Sequence, residues 1–198
     1  GGGEKAGAGW GEWGREAVIQ ITMKTSSELE QQAALQVAGL MAAAARTAPK
    51  TRGIDNIRVL AIEDKAGKDK LAGKMREIAR AEHHASFDRD ATCVDRSAAV
   101  VVIGVASNPA ELNCGYCGFV TCEKLREAGG VCSFNAIDLG IASSSAAGVA
   151  ADARVDTRLM FSIGRAALGM GLFGAEVKLA LGIPLSISGK SPYFDRPA

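Results

Sequence analysis

Residues 98–105 read Ala98-Ala99-Val100-Val101-Val102-Ile103-Gly104-Val105, and this run decides the fold. It is continuously apolar and rich in valine, the pattern of a β-strand buried on both faces. Such a strand belongs at the centre of a sheet and needs cover on each side. Upstream, Ile57 to Ile62 has strand composition, and Lys68 to Glu82 is amphipathic at helical spacing with Leu71, Met75 and Ile78 inward. Ser27 and Glu30 have the spacing of a capping box, so a first helix is expected from there. Its inward face would be Leu29, Ala33, Val37, Leu40, Met41 and Ala44, and Pro49 would end it by lacking an amide.

Downstream, Ser133 to Ala153 reads as a buried helix of small residues, and Leu159 to Ile163 as a strand. A short helix is expected from Arg165 to Met170, bounded by Gly164 and Gly171. Val177, Leu179, Leu181, Ile183, Leu185 and Ile187 alternate as in a half-buried strand, with Pro184 pushing it towards a sheet edge or a bulge. Strands separated by helices give an α+β (α/β-like) class: a single layered domain over residues 23–198, a central sheet flanked by helices. Residues 1–22 are Gly-rich and lack a period, and read as an N-terminal extension or an added segment ahead of Met23.

With 198 residues and 47% apolar content, the chain can bury one sizeable core. Its 23 basic and 22 acidic side chains are interspersed, which argues against nucleic acid as a partner. No apolar stretch supplies the roughly 20 residues of a membrane helix. Gly1 to Thr22 lacks the basic start and apolar run of an export signal. The expectation is a cytoplasmic protein without a membrane partner.

Five cysteines are an odd number, and four of them lie between Cys114 and Cys132. A disulfide framework would use an even set spread along the chain, so the crowding favours a metal in a reducing compartment. The run Asn113-Cys114-Gly115-Tyr116-Cys117-Gly118-Phe119-Val120-Thr121-Cys122 gives C-x2-C-x4-C, and Cys132 adds a fourth sulfur. A [4Fe-4S] cluster needs four converging thiolates, and short spacing lowers the entropy of gathering them. Glycine after each of the first two cysteines lets the loop curl and brings amides near sulfur. Phe119 could shield the site. Four thiolates also suit a structural zinc, the alternative here, although zinc ribbons usually present two C-x2-C pairs. Cys93 stands apart at the edge of the buried strand and reads as a packing thiol, with a reserve role as ligand.

Several pieces resemble the ferredoxin-domain-containing proteins of anaerobic bacteria and archaea. They are Ala44 to Lys50, Asn113 to Phe119, Ile137 to Ala142, and Gly182 to Leu185 with Pro192 to Arg196. Cys114 to Cys122 also resembles the cluster module of electron-transport subunits in anaerobes, whose fourth cysteine lies farther along the chain. The resemblance implies an iron-sulfur redox protein that exchanges electrons with a partner protein. A weaker likeness is to flavin-dependent nitroreductases, through Ala45 to Pro49 and Ala167 to Gly171. It implies a nitroreductase-like sheet, an oxidoreductase activity, a homodimer, and FMN whose phosphate would meet Arg46, Lys50, Arg52, Lys190 or Arg196. Ser26 to Glu30 offers acids where nitroreductases open with an arginine pair.

Other features read as structural. His83 and His84 suit a helix end, Gly164 to Gly174 lacks a dinucleotide fingerprint, and Ser143 to Ser145 lacks a nucleophile elbow.

Overall fold

The computed structural model describes residues 23–193, so the expectations for residues 1–22 and for Arg196 lie outside the described residues. In chain order the elements are α1 (Ser26–Thr47), a 3-10 turn (Thr51–Gly53), β1 (Ile57–Ile62), α2 (Lys65–Ala81), α3 (Ala85–Asp95), β2 (Ala99–Ala106), α4 (Cys122–Glu127), α5 (Ser133–Asp152), β3 (Asp156–Thr157), α6 (Phe161–Gly169) and β4 (Val177–Ser186). The sheet has the order β1-β2-β4-β3, and all its pairings are antiparallel.

Every residue of β2 is buried, as its composition requires. Val101, Ile103 and Val105 pack with Ile183 and Leu185 against α1 and α5. On the other face, Val100 and Val102 pack with Ala180 against α2, α3 and α6. Each such side chain contributes about 1.5–3 kcal/mol of transfer free energy, an upper estimate because unfolded chains already bury some surface. A layered α+β fold follows, with helices on both sides of one sheet.

Several elements correct the sequence expectation. Thr25, not Ser27, caps α1: its side chain accepts from the Glu28 amide, and the Glu28 carboxylate accepts from the Thr25 amide at 2.7 Å. Both pairs have the same spacing, so spacing alone cannot separate them. The buried face of α1 is Ala34, Val37, Ala38, Met41 and Ala45, whereas Leu29 and Leu40 are exposed. Helix α3 was not expected, and it places Cys93 in its last turn rather than at a strand edge. Leu159 to Ile163 is not a strand. Met160 makes an isolated bridge to Gly182, and α6 begins at Phe161.

Strand β4 is flanked by β2 and β3 instead of lying at the edge, and the irregularity falls at Val105/Ala106 rather than at Pro184. The ladder register puts the missing Pro184 amide on the β3 side, between the Thr157–Leu185 pair and the Met160–Gly182 bridge. Pairing lapses there, as a residue without a donor demands.

The alternation of β4 divides its faces by size. Leu179, Leu181, Ile183 and Leu185 serve the α1 and α5 side, and Ala180 and Gly182 leave room for α6. A Cβ on Gly164 would lie 1.8 Å from the Ala180 carbonyl oxygen, and one on Gly182 would lie 2.0 Å from Ile163 Cγ2. Helix α6 and β4 therefore meet at backbone distance.

Tyr193, the last described residue, is buried. Ser97 Oγ donates to the Cys93 carbonyl at 2.6 Å, so its oxygen accepts from the Tyr193 hydroxyl at 3.1 Å. Burial pushes the Tyr193 phenol well above its ordinary value and also raises the Cys93 thiol.

Two outcomes follow. Gly164→Ala should lose about 1–3 kcal/mol through overpacking against backbone. Gly73→Ala, where a Cβ meets nothing within 4 Å, should gain about 0.5–1 kcal/mol. Urea midpoints of the two variants compare them, and equal midpoints would refute the close approach. The second outcome concerns pH. Because folding raises the Tyr193 pKa, its contribution is complete below the ordinary phenol value of about 10 and is lost as pH rises beyond it. Tyr193→Phe should flatten that alkaline loss in a pH series of melting temperatures.

Candidate metal centre

The cysteine loop leaves the C-terminal end of β2 under close restraint. The amides of Ala106 and Ser107 donate to the carbonyls of Asn56 and Glu176, at 2.9 and 2.7 Å. Asn108 donates its amide to Asn135 Oδ1 at 3.1 Å, and Arg52 donates to the Ala110 carbonyl at 3.0 Å. These tethers carry the chain from the sheet to Cys114 without secondary structure of its own.

Tight turns then shape the cysteine loop. Gly115 and Gly118 have φ of 74° and 83°, values that favour glycine, and the Gly118 amide donates to the Gly115 carbonyl at 2.9 Å. Asn113, also at positive φ, accepts from the Cys122 amide at 2.8 Å. Cys122 opens α4, which Thr121 caps, and Cys132 stands at the N-cap of α5.

Cys114, Cys117, Cys122 and Cys132 line one recess. Cys114 is exposed, Cys117 half-buried, and Cys122 and Cys132 buried. Among the described residues, no three His, Cys, Asp or Glu side chains form a group that could hold a single metal ion as they stand. The donor set is soft, and the wall is apolar: Ala110, Leu125 and Cys132 form a small core with Phe119 and Phe134 against it. Tyr116 stacks on Phe134 with ring centroids 5.7 Å apart. Four thiols in one recess, glycine turns beside two of them and aromatic cover fit an iron-sulfur cluster.

Cys93 lies in the core between the sheet and α2, α3 and α6, among residues none of which lines the recess. Two buried polar residues missed in the sequence support the site from α5. Asn135 holds Asn108, and Asp138 accepts from the amide and hydroxyl of Thr51 at 3.0 and 2.9 Å. Their sequence trace is only that both follow Cys132 within two turns.

Arg46, Lys50 and Arg52, three of the candidate phosphate cations, hold partners within the chain. Arg46 pairs with Asp55 at 2.6 Å, and Lys50 donates to the carbonyls of Ala45, Arg46 and Ala48 at the end of α1. Arg52 has φ of 58° and holds the cysteine loop. Lys190 is exposed near the chain end.

Comparisons with known proteins converge on the same two likenesses. The sequence model of a family described as uncharacterized proteins containing a ferredoxin domain matches residues 128–196, a stretch that contains Cys132 but not the first three cysteines. An uncharacterized protein of Archaeoglobus fulgidus is 42% identical over 166 residues, covering 79% of this chain and 88% of that protein. Among solved structures, a nitroreductase with bound FMN from Desulfitobacterium hafniense DCB-2 has a TM-score of 0.56 at 13% identity, covering 90% of this chain and 86% of that one. NfrA2 of B. megaterium has a TM-score of 0.51 at 14% identity, and this chain spans 58% of its length. At such identities the likeness is one of fold.

Exposure orders the thiols. In iron-free folded protein, iodoacetamide should modify Cys114 first and leave Cys93 protected until denaturant is added, because Cys93 is buried and its raised pKa keeps it protonated. Mass mapping of a labelling time course checks this. Early modification of Cys93 would contradict its placement.

Proposed function

The chain belongs to the family of proteins containing a ferredoxin domain, and from that membership we propose that it is an iron-sulfur redox protein with one [4Fe-4S] cluster on Cys114, Cys117, Cys122 and Cys132. The observation that carries this reading is the shared recess: four thiols separated by short loops line a single apolar-walled space. When bound, such a cluster supplies one-electron chemistry.

The chain's own residues have definable parts in this reading. The four thiolates are the ligands. Cys132 stands at the N-cap of the 20-residue α5. Phe119, Phe134 and Leu125 exclude water from the inner side and thereby bias the potential. Asn113 fixes the approach of Cys122. The exposed Cys114 and Tyr116 mark the rim nearest solvent, where an electron-exchanging partner protein would approach.

A second reading is supported by the nitroreductase fold and by the FMN named with one neighbour. In it, the protein is an oxidoreductase in which the cluster feeds a flavin. Arg46, Lys50, Arg52, Lys190 or Arg196 would meet the flavin phosphate, and Lys50 would first have to release its carbonyl partners. The third reading is a zinc-stabilised structural module, for which four thiolates also suffice.

Anaerobic purification followed by iron, sulfide, zinc and flavin analysis separates the three. Iron and sulfide near four per chain without flavin is the expected result for a [4Fe-4S] protein. Cys114→Ser, Cys117→Ser, Cys122→Ser and Cys132→Ser should each abolish or convert the resonance signal of the reduced protein, and Cys93→Ser should leave it intact. Full iron in Cys122→Ser, or zinc in place of iron in the parent, would defeat the proposal.

A further inference from the structure

The four thiols of the recess differ in what holds them. Cys122 is the first residue of α4 and 6% exposed, and Cys132 is the N-cap of α5 and 4% exposed. Cys122 is tied a second time, because its amide donates to Asn113 Oδ1 at 2.8 Å. Cys132 packs with Ala110 and Leu125 in a small core of their own. Cys114 and Cys117, by contrast, belong to no helix or strand. Cys114 is exposed, and Cys117 is half-buried at the edge of that small core. A solute arriving from water meets this outer pair of sulfurs before the inner pair.

The local backbone joins the outer pair. Only Gly115 and Tyr116 separate the two cysteines. Three peptide steps span at most about 11 Å between Cα atoms, and here the path is bent: Gly115 has φ of 74°, and the Gly118 amide returns to the Gly115 carbonyl at 2.9 Å. A disulfide needs Cα atoms about 4.4–6.8 Å apart, a separation within reach of residues three apart in a turning chain. A Cβ at Gly115 or Gly118 would meet nothing within 4 Å, so the loop has open space in which to adjust.

We propose that Cys114 and Cys117 form a reversible disulfide when the iron-free chain meets a peroxide, and that this bridge closes the recess to a cluster. The second half rests on the iron-sulfur reading; the first does not. The exposed Cys114 thiolate attacks the O–O bond, keeping one oxygen as a sulfenic acid and releasing the other as water. The Cys117 thiol then displaces a second water from that sulfenic acid as the S–S bond forms. Two thiols and one peroxide give one disulfide and two waters, so the sulfurs lose the two electrons that the peroxide gains. The bridge withdraws two of the four thiolates, while burial keeps Cys122 and Cys132 as thiols. A thiol reductant opens the bridge and returns the full set. Oxidation thus decides whether the recess accepts its cluster.

The test treats the reduced, iron-free full chain with equimolar hydrogen peroxide, alkylates it in denaturant and maps the peptides by mass spectrometry. The expected product links Cys114 to Cys117 and leaves Cys93, Cys122 and Cys132 alkylated. Cys117→Ser should instead hold Cys114 as a sulfenic acid that dimedone traps, and Cys122→Ser should bridge as the parent does. Reconstitution with iron and sulfide follows. The bridged parent should fail to take up iron, and dithiothreitol should restore uptake to that of the untreated protein. A bridge from Cys114 to Cys122 or Cys132, a disulfide between chains, or full iron uptake by the bridged protein overturns the proposal. The mapping uses no metal. A chain that bridges as stated yet takes up no iron even before peroxide defeats the iron-sulfur reading and leaves the bridge standing.

Discussion

Strand β2 is sealed from water on both faces, and that condition organises the rest of the molecule. Val100 and Val102 need one helical layer, and Val101, Ile103 and Val105 need another. Its backbone groups need a partner strand on each side, which β1 and β4 supply in antiparallel register, with one irregularity at Val105/Ala106. A strand so enclosed cannot shift by one residue without exchanging the two cores, so its ends are fixed points. The chain emerges from one of those points at Ala106, where hydrogen bonds to Asn56 and Glu176 continue the restraint for two more residues. A loop launched from a fixed point can position side chains that a loop between mobile elements could not.

Helix α5 links that sheet to the recess. Its N-terminal end carries Cys132 and, within two turns, Asn135 and Asp138, each of which grips a separate loop. Beyond them Leu139, Ala142, Ala146 and Ala150 join the core under the sheet. One element thus supplies a sulfur, holds the path towards Cys114, anchors the turn after α1 and packs on β2. Burying Asp138 without a cation is sustained by the two donors of Thr51, in keeping with the rule that buried polar groups are hydrogen-bonded.

What the sequence revealed depended on how local the physical cause was. The boundaries of β1, β2, α5 and β4 were legible because apolar runs and alternation are local consequences of burial. The buried face of α1 was not. Its apolar residues occupy more than one side of the helix, and periodicity cannot say which side meets the sheet and which remains open. Helix α3 escaped notice because polar Asp88, Arg89 and Asp90 interrupt its apolar spacing, and the burial of Asp90 rests partly on Ser162, a partner remote in the sequence. At the site, spacing put Cys114, Cys117, Cys122 and Cys132 forward as one set, and all four line a single recess. Asn113, Asn135 and Asp138 act through backbone partners that only the folded chain brings near, so their roles left no residue pattern to find.

The same distinction bears on the electrostatics of the recess. Arg46, Lys50 and Arg52 cluster around Ala48-Pro49 in the sequence and invite a role in meeting a phosphate. In the fold, Arg46 is opposed by Asp55, Lys50 closes the carbonyl end of α1, and Arg52 secures Ala110. Beside the cysteines, Arg126 pairs with Glu111 and Lys124 with Glu127. What shapes the recess is instead the backbone: Cys132 occupies the N-cap of α5, and the turns at Gly115 and Gly118 set the path of the loop, so its geometry rests on the sheet and α5 that hold its ends rather than on surface charge.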